Sequence, residues 1–211
     1  MNNNIEHNKI KIQAVNRHRL TTDGNGVTTL VGLYGCPLKC KYCINAELLK
    51  NYSYLDVDID ELVNKIMLDY CYFVATGGGI TLGGGEPLLQ SKPIVTIRNK
   101  LPDDVRLNIE TSLNVDSRKL LDVIGIIDEF IIDIKSMNPD IYKDYTGISI
   151  DNLLNNLNIL VDNNLQHKCK IRIPNIPNYT SEDDTKQSIS IIKEMGFNNI
   201  DHFNYIIKNK D

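Results

Sequence analysis

The chain has 211 residues, of which 24% are charged and 42% hydrophobic, and its formal net charge is −4. This length suits one domain with a sizeable core, and the mixed composition argues against disorder. The slight acidic excess gives no reason to propose a nucleic-acid partner, and no apolar run approaches the length that spans a membrane. Residues 1–8 are polar and predict a loose tail without the apolar core of a signal peptide, so we expect a single cytoplasmic domain over residues 1–211.

Strand and helix patterns alternate along the chain. Apolar alternation and β-branched runs predict strands at 10–15, 27–34, 80–82, 105–110, 130–134, 170–173 and 200–207. Helical spacing of apolar residues and capping residues predict helices at 58–73, 89–100, 116–127, 151–164 and 181–195. Strands that alternate with helices imply right-handed βαβ units and a parallel sheet. We count about six such units, fewer than the eight of a closed barrel.

Three of the five cysteines follow the strand at 27–34 with the spacing C-x3-C-x2-C, at Cys36, Cys40 and Cys43. Such spacing lets one loop wrap around a single metal centre. A structural zinc ion takes four protein ligands, and an iron–sulfur cube normally takes four thiolates. Three nearby thiolates without an obvious fourth therefore indicate a cluster with one open iron, where a substrate or cofactor can bind.

Two other uses of these cysteines are considered. A zinc site could be completed by Cys71, Cys169 or a histidine. A disulfide framework is disfavoured because five is an odd number and the chain is not a short secreted one. Cys71 and Cys169 have apolar neighbours in the sequence, and we expect both to be buried small hydrophobes.

A glycine-rich segment follows the short strand at 80–82 and ends in Gly84, Gly85 and Glu86. Glycines let the backbone approach a ligand closely and expose carbonyl groups at a strand end. An ammonium group requires such acceptors. The alternative is a plain glycine turn with no ligand.

The cysteine motif, with the aromatic Tyr42 before its last cysteine, resembles the signature of radical S-adenosylmethionine (radical SAM) enzymes. The segments 23–29, 35–38, 43–45 and 77–90 resemble the corresponding parts of the glycyl-radical-enzyme activases. The resemblance covers roughly residues 15 to 205. It implies the α/β fold of that superfamily, a partial (β/α)6 TIM-like barrel.

The resemblance also implies two cofactors. Cys36, Cys40 and Cys43 would hold a [4Fe–4S] cluster, and the amino and carboxylate groups of S-adenosylmethionine would chelate its fourth iron. One electron would then cleave S-adenosylmethionine to methionine and a 5′-deoxyadenosyl radical, which abstracts a hydrogen atom. The protein supplies orientation and excludes water.

Cofactor-binding positions are carried over from the resemblance. Gly84, Gly85 and Glu86 would receive the methionine ammonium, and Tyr42 would pack over the adenine or the cluster. The charged and polar residues at later strand ends that match the family are Glu110, Thr111, Asp133, Lys135 and Arg172. Buried charges need partners, so these residues indicate a polar site. The alternatives are a solvated barrel rim for the charges and ordinary core packing for Tyr42.

The resemblance predicts an activase that places a radical on a glycine of a partner glycyl-radical enzyme. A flavodoxin- or ferredoxin-type protein would donate the electron. One alternative is a radical SAM enzyme that acts directly on a peptide or a small molecule. Another is a zinc- or cluster-binding protein that is not an enzyme.

Overall fold

The computed structural model describes residues 8–20, 22–50 and 53–207. The predicted loose tail thus lies outside the described residues, apart from Asn8. Within the described ranges, eight strands form one sheet. The strands are β1 (Lys9–Leu20), β2 (Val27–Leu33), β3 (Leu55–Asp58), β4 (Gly79–Gly84), β5 (Arg106–Thr111), β6 (Glu129–Asp133), β7 (Cys169–Asn175) and β8 (Ile200–Asn204).

Helices connect most of the strands. They are α1 (Ala46–Lys50), α2 (Ile59–Ile66), α3 (Tyr70–Thr76), α4 (Ser91–Lys100), α5 (Ser117–Leu121), α6 (Pro139–Thr146), α7 (Asp151–Asp162) and α8 (Glu182–Glu194). No helix among the described residues has the length and apolar character needed to cross a membrane.

The sheet confirms the predicted parallel architecture. The strand order is β3-β1-β2-β4-β5-β6-β7-β8, and all neighbours from β2 to β8 pair in parallel. These six parallel strands and their helices form the open, partial (β/α)6 TIM-like barrel that the sequence predicts. β1 pairs antiparallel with β2 and β3 and extends the sheet at one edge. The sequence pattern predicts neither β3 nor this antiparallel pairing.

Local chemistry explains where several helices begin. Asp58 caps α2, because its carboxylate accepts the backbone N–H of Asp60 at 2.8 Å. Ser181 and Asp184 form a reciprocal capping box at the start of α8. Both starts confirm the prediction. Helix α6 is absent from the prediction, although its Asn138 cap followed by Pro139 is a recognisable start signal.

Two predicted helices differ from the prediction, one by division and one by length. The segment 58–73 is divided into α2, a 3-10 turn at Met67–Asp69 and α3. The turn lies where the fully buried Asp69 carboxylate accepts a hydrogen bond of 2.7 Å from Arg17 Nε of β1. The segment 116–127 is helical only over α5, and residues 122–126 around Gly125 form turns, in keeping with the low helix propensity of glycine.

The parallel strands bring their C-terminal ends to one edge of the sheet, where α/β folds place their sites. β2 leads into the cysteine loop, and β4 ends in the glycine-rich segment. β5 and β6 end at Thr111 and Asp133. The fold therefore assembles residues far apart in sequence at one rim.

Candidate active site

The cysteine loop is held by backbone hydrogen bonds to the end of helix α6. Lys39 N–H donates to the Thr146 carbonyl at 2.8 Å, and Lys41 N–H donates to the Tyr145 carbonyl at 3.2 Å. Inside the loop, Cys43 N–H donates to the Cys40 carbonyl at 3.2 Å. The three cysteines of the loop are partly buried free thiols. The loop therefore presents its thiols from a backbone that neighbouring elements fix in place.

The thiols share an electrostatic environment with charged residues of later strands. Burial, followed by the negative charge of Glu86, raises the pKa of the Cys36 thiol to about 12. Burial raises the pKa of the Cys40 thiol to about 11, although the positive charge of Lys135 opposes the shift. A thiolate at either position therefore needs a compensating positive charge, which a bound metal centre supplies.

Among the described residues, no group of three or more His, Cys, Asp or Glu side chains is placed to hold a metal ion. The other two cysteines of the chain lie outside the loop. Cys169 donates its thiol to the Leu165 carbonyl at 3.3 Å and is buried as predicted. Cys71 is exposed, so its predicted burial is wrong: its side chain lies on the outer side of α3.

The end of β4 lies directly against the cysteine loop. Gly85 N–H donates to the Leu33 carbonyl at 3.0 Å, and Glu86 N–H donates to the Gly35 carbonyl at 2.7 Å. Asn45 Nδ2, two residues after the last loop cysteine, donates to the Gly84 carbonyl at 2.8 Å. The cysteine loop and the glycine-rich strand end are thus joined by three hydrogen bonds.

The two glycines at this strand end have no room for a side chain. A Cβ on Gly85 would lie 2.2 Å from the Gly35 carbonyl oxygen. Gly84 has a φ of +88°, and a Cβ there would lie 2.8 Å from Gly32 Cα. Close approach to the backbone that carries the cysteines therefore requires glycine at both positions. The glycines are thus explained by packing against the cysteine loop, and the predicted ligand contact of Gly84 and Gly85 stays a prediction.

Glu86 is 1% exposed and accepts four hydrogen bonds. Thr111 Oγ1 and Leu88 N–H donate to Oε1 at 2.6 and 3.1 Å. Ser112 donates to Oε2 through its hydroxyl at 2.6 Å and its N–H at 2.9 Å. Burial raises the pKa of the Glu86 carboxyl, and the Ser112 and Thr111 hydrogen bonds oppose that shift. Glu86 thus ties the end of β4 to the end of β5. Its predicted contact with an ammonium group, like the predicted cofactor contact of Thr111, stays a prediction.

The predicted charged residues form one continuous row. Arg172 Nη1 lies 2.5 Å from Glu110 Oε1, and Arg172 Nε lies 3.7 Å from Asp133 Oδ1. Lys135 Nζ donates to Asp133 Oδ2 at 3.2 Å. The row is Glu110–Arg172–Asp133–Lys135, and its charges alternate. Each charge is partly buried and has a partner of opposite charge, as buried charges require.

The row extends electrostatically to the cysteine loop. Burial disfavours the charged form of Lys135, but the negative charge of Asp133, followed by that of Cys40, raises the pKa of its ammonium. At the other end, burial and the charge of Asp133 raise the pKa of Glu110 to about 7, against the opposing charge of Arg172. The row is thus coupled to the cysteine loop through Lys135, and the predicted cofactor contacts of its members stay predictions.

Tyr42 packs among three other tyrosine rings. Its ring centroid lies 5.7 Å from that of Tyr179, 6.1 Å from Tyr145 and 6.4 Å from Tyr205. This environment is closer to the core packing that the sequence left open, and the predicted contact with adenine stays a prediction.

Sequence patterns missed Ser112, Tyr145, Tyr179 and Tyr205 at this rim, because each is a common residue in a loop or helix with no spacing signal.

Comparison with known proteins gives a consistent set of similarities. The model of the family described as the radical SAM superfamily matches residues 30–202. The (2S)-3-sulfopropanediol dehydratase activating enzyme of Klebsiella oxytoca is 27% identical to the chain, over 82% of this chain and 74% of the relative. The pyruvate formate-lyase-activating enzyme of Staphylococcus aureus strain USA300 is 31% identical, over 78% of this chain and 68% of the relative.

Solved structures share the fold. The crystal structure of Streptococcus suis SuiB bound to precursor peptide SuiA aligns with a TM-score of 0.63 at 14% identity. The alignment covers 85% of this chain but only 40% of SuiB, so the chain spans about two fifths of that structure's length. At this identity the likeness shows the architecture alone.

Proposed function

The chain belongs to the radical SAM superfamily, and on that premise we propose that it is an activating enzyme that places a radical on a backbone glycine of a partner protein. Enzymes of this superfamily use a [4Fe–4S] cluster and S-adenosylmethionine. When bound, these cofactors would use one electron to cleave S-adenosylmethionine to methionine and a 5′-deoxyadenosyl radical. That radical would take a hydrogen atom from the partner's glycine Cα, giving 5′-deoxyadenosine and a glycyl radical. One observation supports the proposal. The cysteine loop, the glycine-rich strand end and the charged row lie together at one rim of the sheet.

The cysteine loop holds the cluster in this proposal. Cys36, Cys40 and Cys43 would each give one thiolate to the cluster, which would leave its fourth iron for the cofactor. Lys135 lies close enough to Cys40 to oppose the rise in its thiol pKa, and so favours the thiolate form that binds iron. Hydrogen bonds from Lys39 and Lys41 to the end of α6 hold the loop backbone in place for this role.

The strand ends bind and orient S-adenosylmethionine. Main-chain carbonyls at Gly84 and Gly85 offer acceptors to its ammonium, and Glu86 keeps that strand end aligned with β5. Lys135 and Arg172 are the cations for its carboxylate, while Glu110 and Asp133 balance them. Thr111 supports Glu86 from β5.

The partner is proposed from the relatives. The two curated relatives described above are named as activating enzymes, one for a dehydratase and one for pyruvate formate-lyase. We infer that the hydrogen donor of this chain is likewise a glycine in a protein partner. The electron donor is inferred to be a flavodoxin- or ferredoxin-type carrier, because reduction of the cluster needs a one-electron source.

Coexpression with candidate glycyl-radical partners tests this function. The cells are grown without oxygen, and each partner is measured by electron paramagnetic resonance. We expect a glycyl doublet that depends on this chain and disappears when Cys40→Ala replaces the wild type. Absence of a doublet from every candidate, together with an altered peptide or small product, would instead support an enzyme that modifies such a substrate directly.

A further inference from the structure

The main chain of the cysteine loop is contacted from the far end of the sheet. Tyr42 lies between the second and third cysteines of the loop, and the Tyr205 hydroxyl donates a hydrogen bond to its carbonyl oxygen. The two rings also stack at an interplanar angle of 26°. One side chain therefore makes a polar contact and a ring contact with the same loop residue.

Tyr205 is itself fixed by the sheet. It directly follows β8, and its N–H continues the ladder by donating to the Asn175 carbonyl of β7 at 2.9 Å. The turn after β7 adds a second contact, because Asn178 Nδ2 donates to the Tyr42 hydroxyl at 3.2 Å. β2 and β8 are the first and last of the parallel strands. These contacts thus connect the two ends of the open barrel above the cysteines.

Other hydrogen bonds hold the loop before and after Tyr42. Lys39 and Lys41 N–H donate to carbonyls at the end of α6, Glu86 N–H donates to the Gly35 carbonyl, and Ala46 N–H donates to the Cys43 carbonyl at 3.2 Å. The peptide that links Tyr42 to Cys43 is held by the Tyr205 hydroxyl on its carbonyl side and by the Cys40 carbonyl on its N–H side. Release of the carbonyl would leave the last cysteine with a less constrained backbone.

We propose that Tyr205 is a positioning residue for the cluster: it fixes the Tyr42 carbonyl and thereby the backbone of the third cysteine ligand, Cys43. The inference rests on the proposed function in assigning a cluster to these cysteines. It goes beyond that function in giving β8 and the residue that follows it a part in ligand placement. Sequence spacing carries no signal for this role, because Tyr205 lies 163 positions from Tyr42.

Tyr205→Phe removes the hydroxyl and keeps the ring. The matched control is Tyr70→Phe, which removes the hydroxyl that donates to Asp104 at 2.7 Å on another face of the molecule. Hydrogen exchange of the metal-free proteins is followed in peptides that cover 37–46, with β4 and β6 as internal references. A net hydrogen bond contributes about 0.5–1.5 kcal/mol, so exchange in 37–46 is expected to rise roughly 2- to 12-fold in the Tyr205 variant only.

A second measurement separates positioning of the ligands from simple loss of stability. Both variants are loaded with iron and sulfide, reduced, and compared with wild type by electron paramagnetic resonance of the cluster. We expect shifted or broadened g-values for Tyr205→Phe and the wild-type signal for Tyr70→Phe. Unchanged g-values, unchanged exchange in 37–46, or an equal rise in the reference strands would each overturn the proposal. If the wild type takes up no cluster, the proposed function fails, while the exchange comparison still tests the link between Tyr205 and the loop.

Discussion

Glu86 shows how a residue from a recognisable motif can act through other protein groups. The motif predicts contact with a ligand, yet both carboxylate oxygens are already bonded inside the protein. Each oxygen accepts one main-chain N–H, from Leu88 on one side and from Ser112 on the other. Unlike a hydroxyl, a main-chain N–H cannot turn around to become an acceptor. The site therefore requires two acceptor oxygens at this position.

Glu86→Gln tests that requirement. An amide must direct its NH2 group at one of the two main-chain donors, so one buried N–H loses its partner. We expect the free energy of unfolding to fall by about 1–3 kcal/mol, measured by urea denaturation. Glu61→Gln, on the exposed side of α2, is the control and should change stability by less than about 0.5 kcal/mol. Equal stability of both variants would contradict the structural role of Glu86.

Glu110 predicts a pH dependence of stability. Burial and the charge of Asp133 raise its pKa to about 7, above the ordinary value of about 4.3. The folded protein then binds this proton more tightly than the unfolded chain does, so the unfolding free energy falls as pH rises from about 4.3 to about 7. Between pH 5 and pH 8 the wild type should lose on the order of 2 kcal/mol more stability than Glu110→Gln in urea titrations. Identical losses would show that Glu110 keeps an ordinary pKa.

The roles of individual residues could be predicted from the sequence where their spacing along the chain is diagnostic. The three loop cysteines have a diagnostic spacing, and strand ends at one rim bring Glu110, Asp133 and Lys135 together as expected. The tyrosine contacts were not predictable, because they depend on which distant loops meet across the open barrel. The exposure of Cys71 was also missed, since neighbouring apolar residues do not reveal which side of a short helix faces solvent.

At the scale of elements, the site depends on how closely β4 approaches β2 and the cysteine loop that follows it. The approach uses main-chain hydrogen bonds and leaves no volume for side chains at Gly84 and Gly85. Such contacts transmit any displacement of β4 directly to the cysteine loop. The geometry of the loop is therefore set by its neighbouring strand as well as by its own sequence.

Gly85→Ala should disturb the loop through this contact. Its methyl group would lie 2.2 Å from the Gly35 carbonyl oxygen, so either β4 or the loop must move. We expect a loss of about 1–3 kcal/mol in unfolding free energy and less iron bound per chain after reconstitution. Gly125→Ala is the control, because a Cβ at Gly125 meets nothing within 4 Å. Wild-type iron content in Gly85→Ala would contradict the coupling.

Elements with strong periodicity were predictable, and those with interrupted patterns were not. The six parallel strands follow from apolar runs separated by helices, whereas the exposed strand β3 carries no such pattern. Helix α7 was predicted, but the reason for Asn156 within its apolar stripe was not. The Asn156 side chain donates to the carbonyls of Leu113 and Val115 at 2.8 Å and supports the positive φ of 59° at Leu113. The sequence of the helix alone does not show that contact, because its partners lie in a distant loop.

For the whole molecule, we propose that the open barrel assembles a site that cleaves S-adenosylmethionine. Thiols from the loop after β2, carbonyls from β4 and charges from β5 to β7 meet at one rim. The parallel sheet brings these strand ends to one edge, and the family match covers residues 30–202, which include all of them. Cleavage of the cofactor does not depend on the identity of the partner, so it can be measured first.

The most direct measurement is the yield of 5′-deoxyadenosine. The protein is reconstituted with iron and sulfide without oxygen, then given dithionite and S-adenosylmethionine. Wild type and the exposed-cysteine control Cys71→Ala should both form 5′-deoxyadenosine and methionine, whereas Cys40→Ala should bind less iron and form neither. Product formation by Cys40→Ala at the wild-type rate, or a wild type that binds zinc tightly and never cleaves the cofactor, would show that these cysteines do not hold a catalytic cluster.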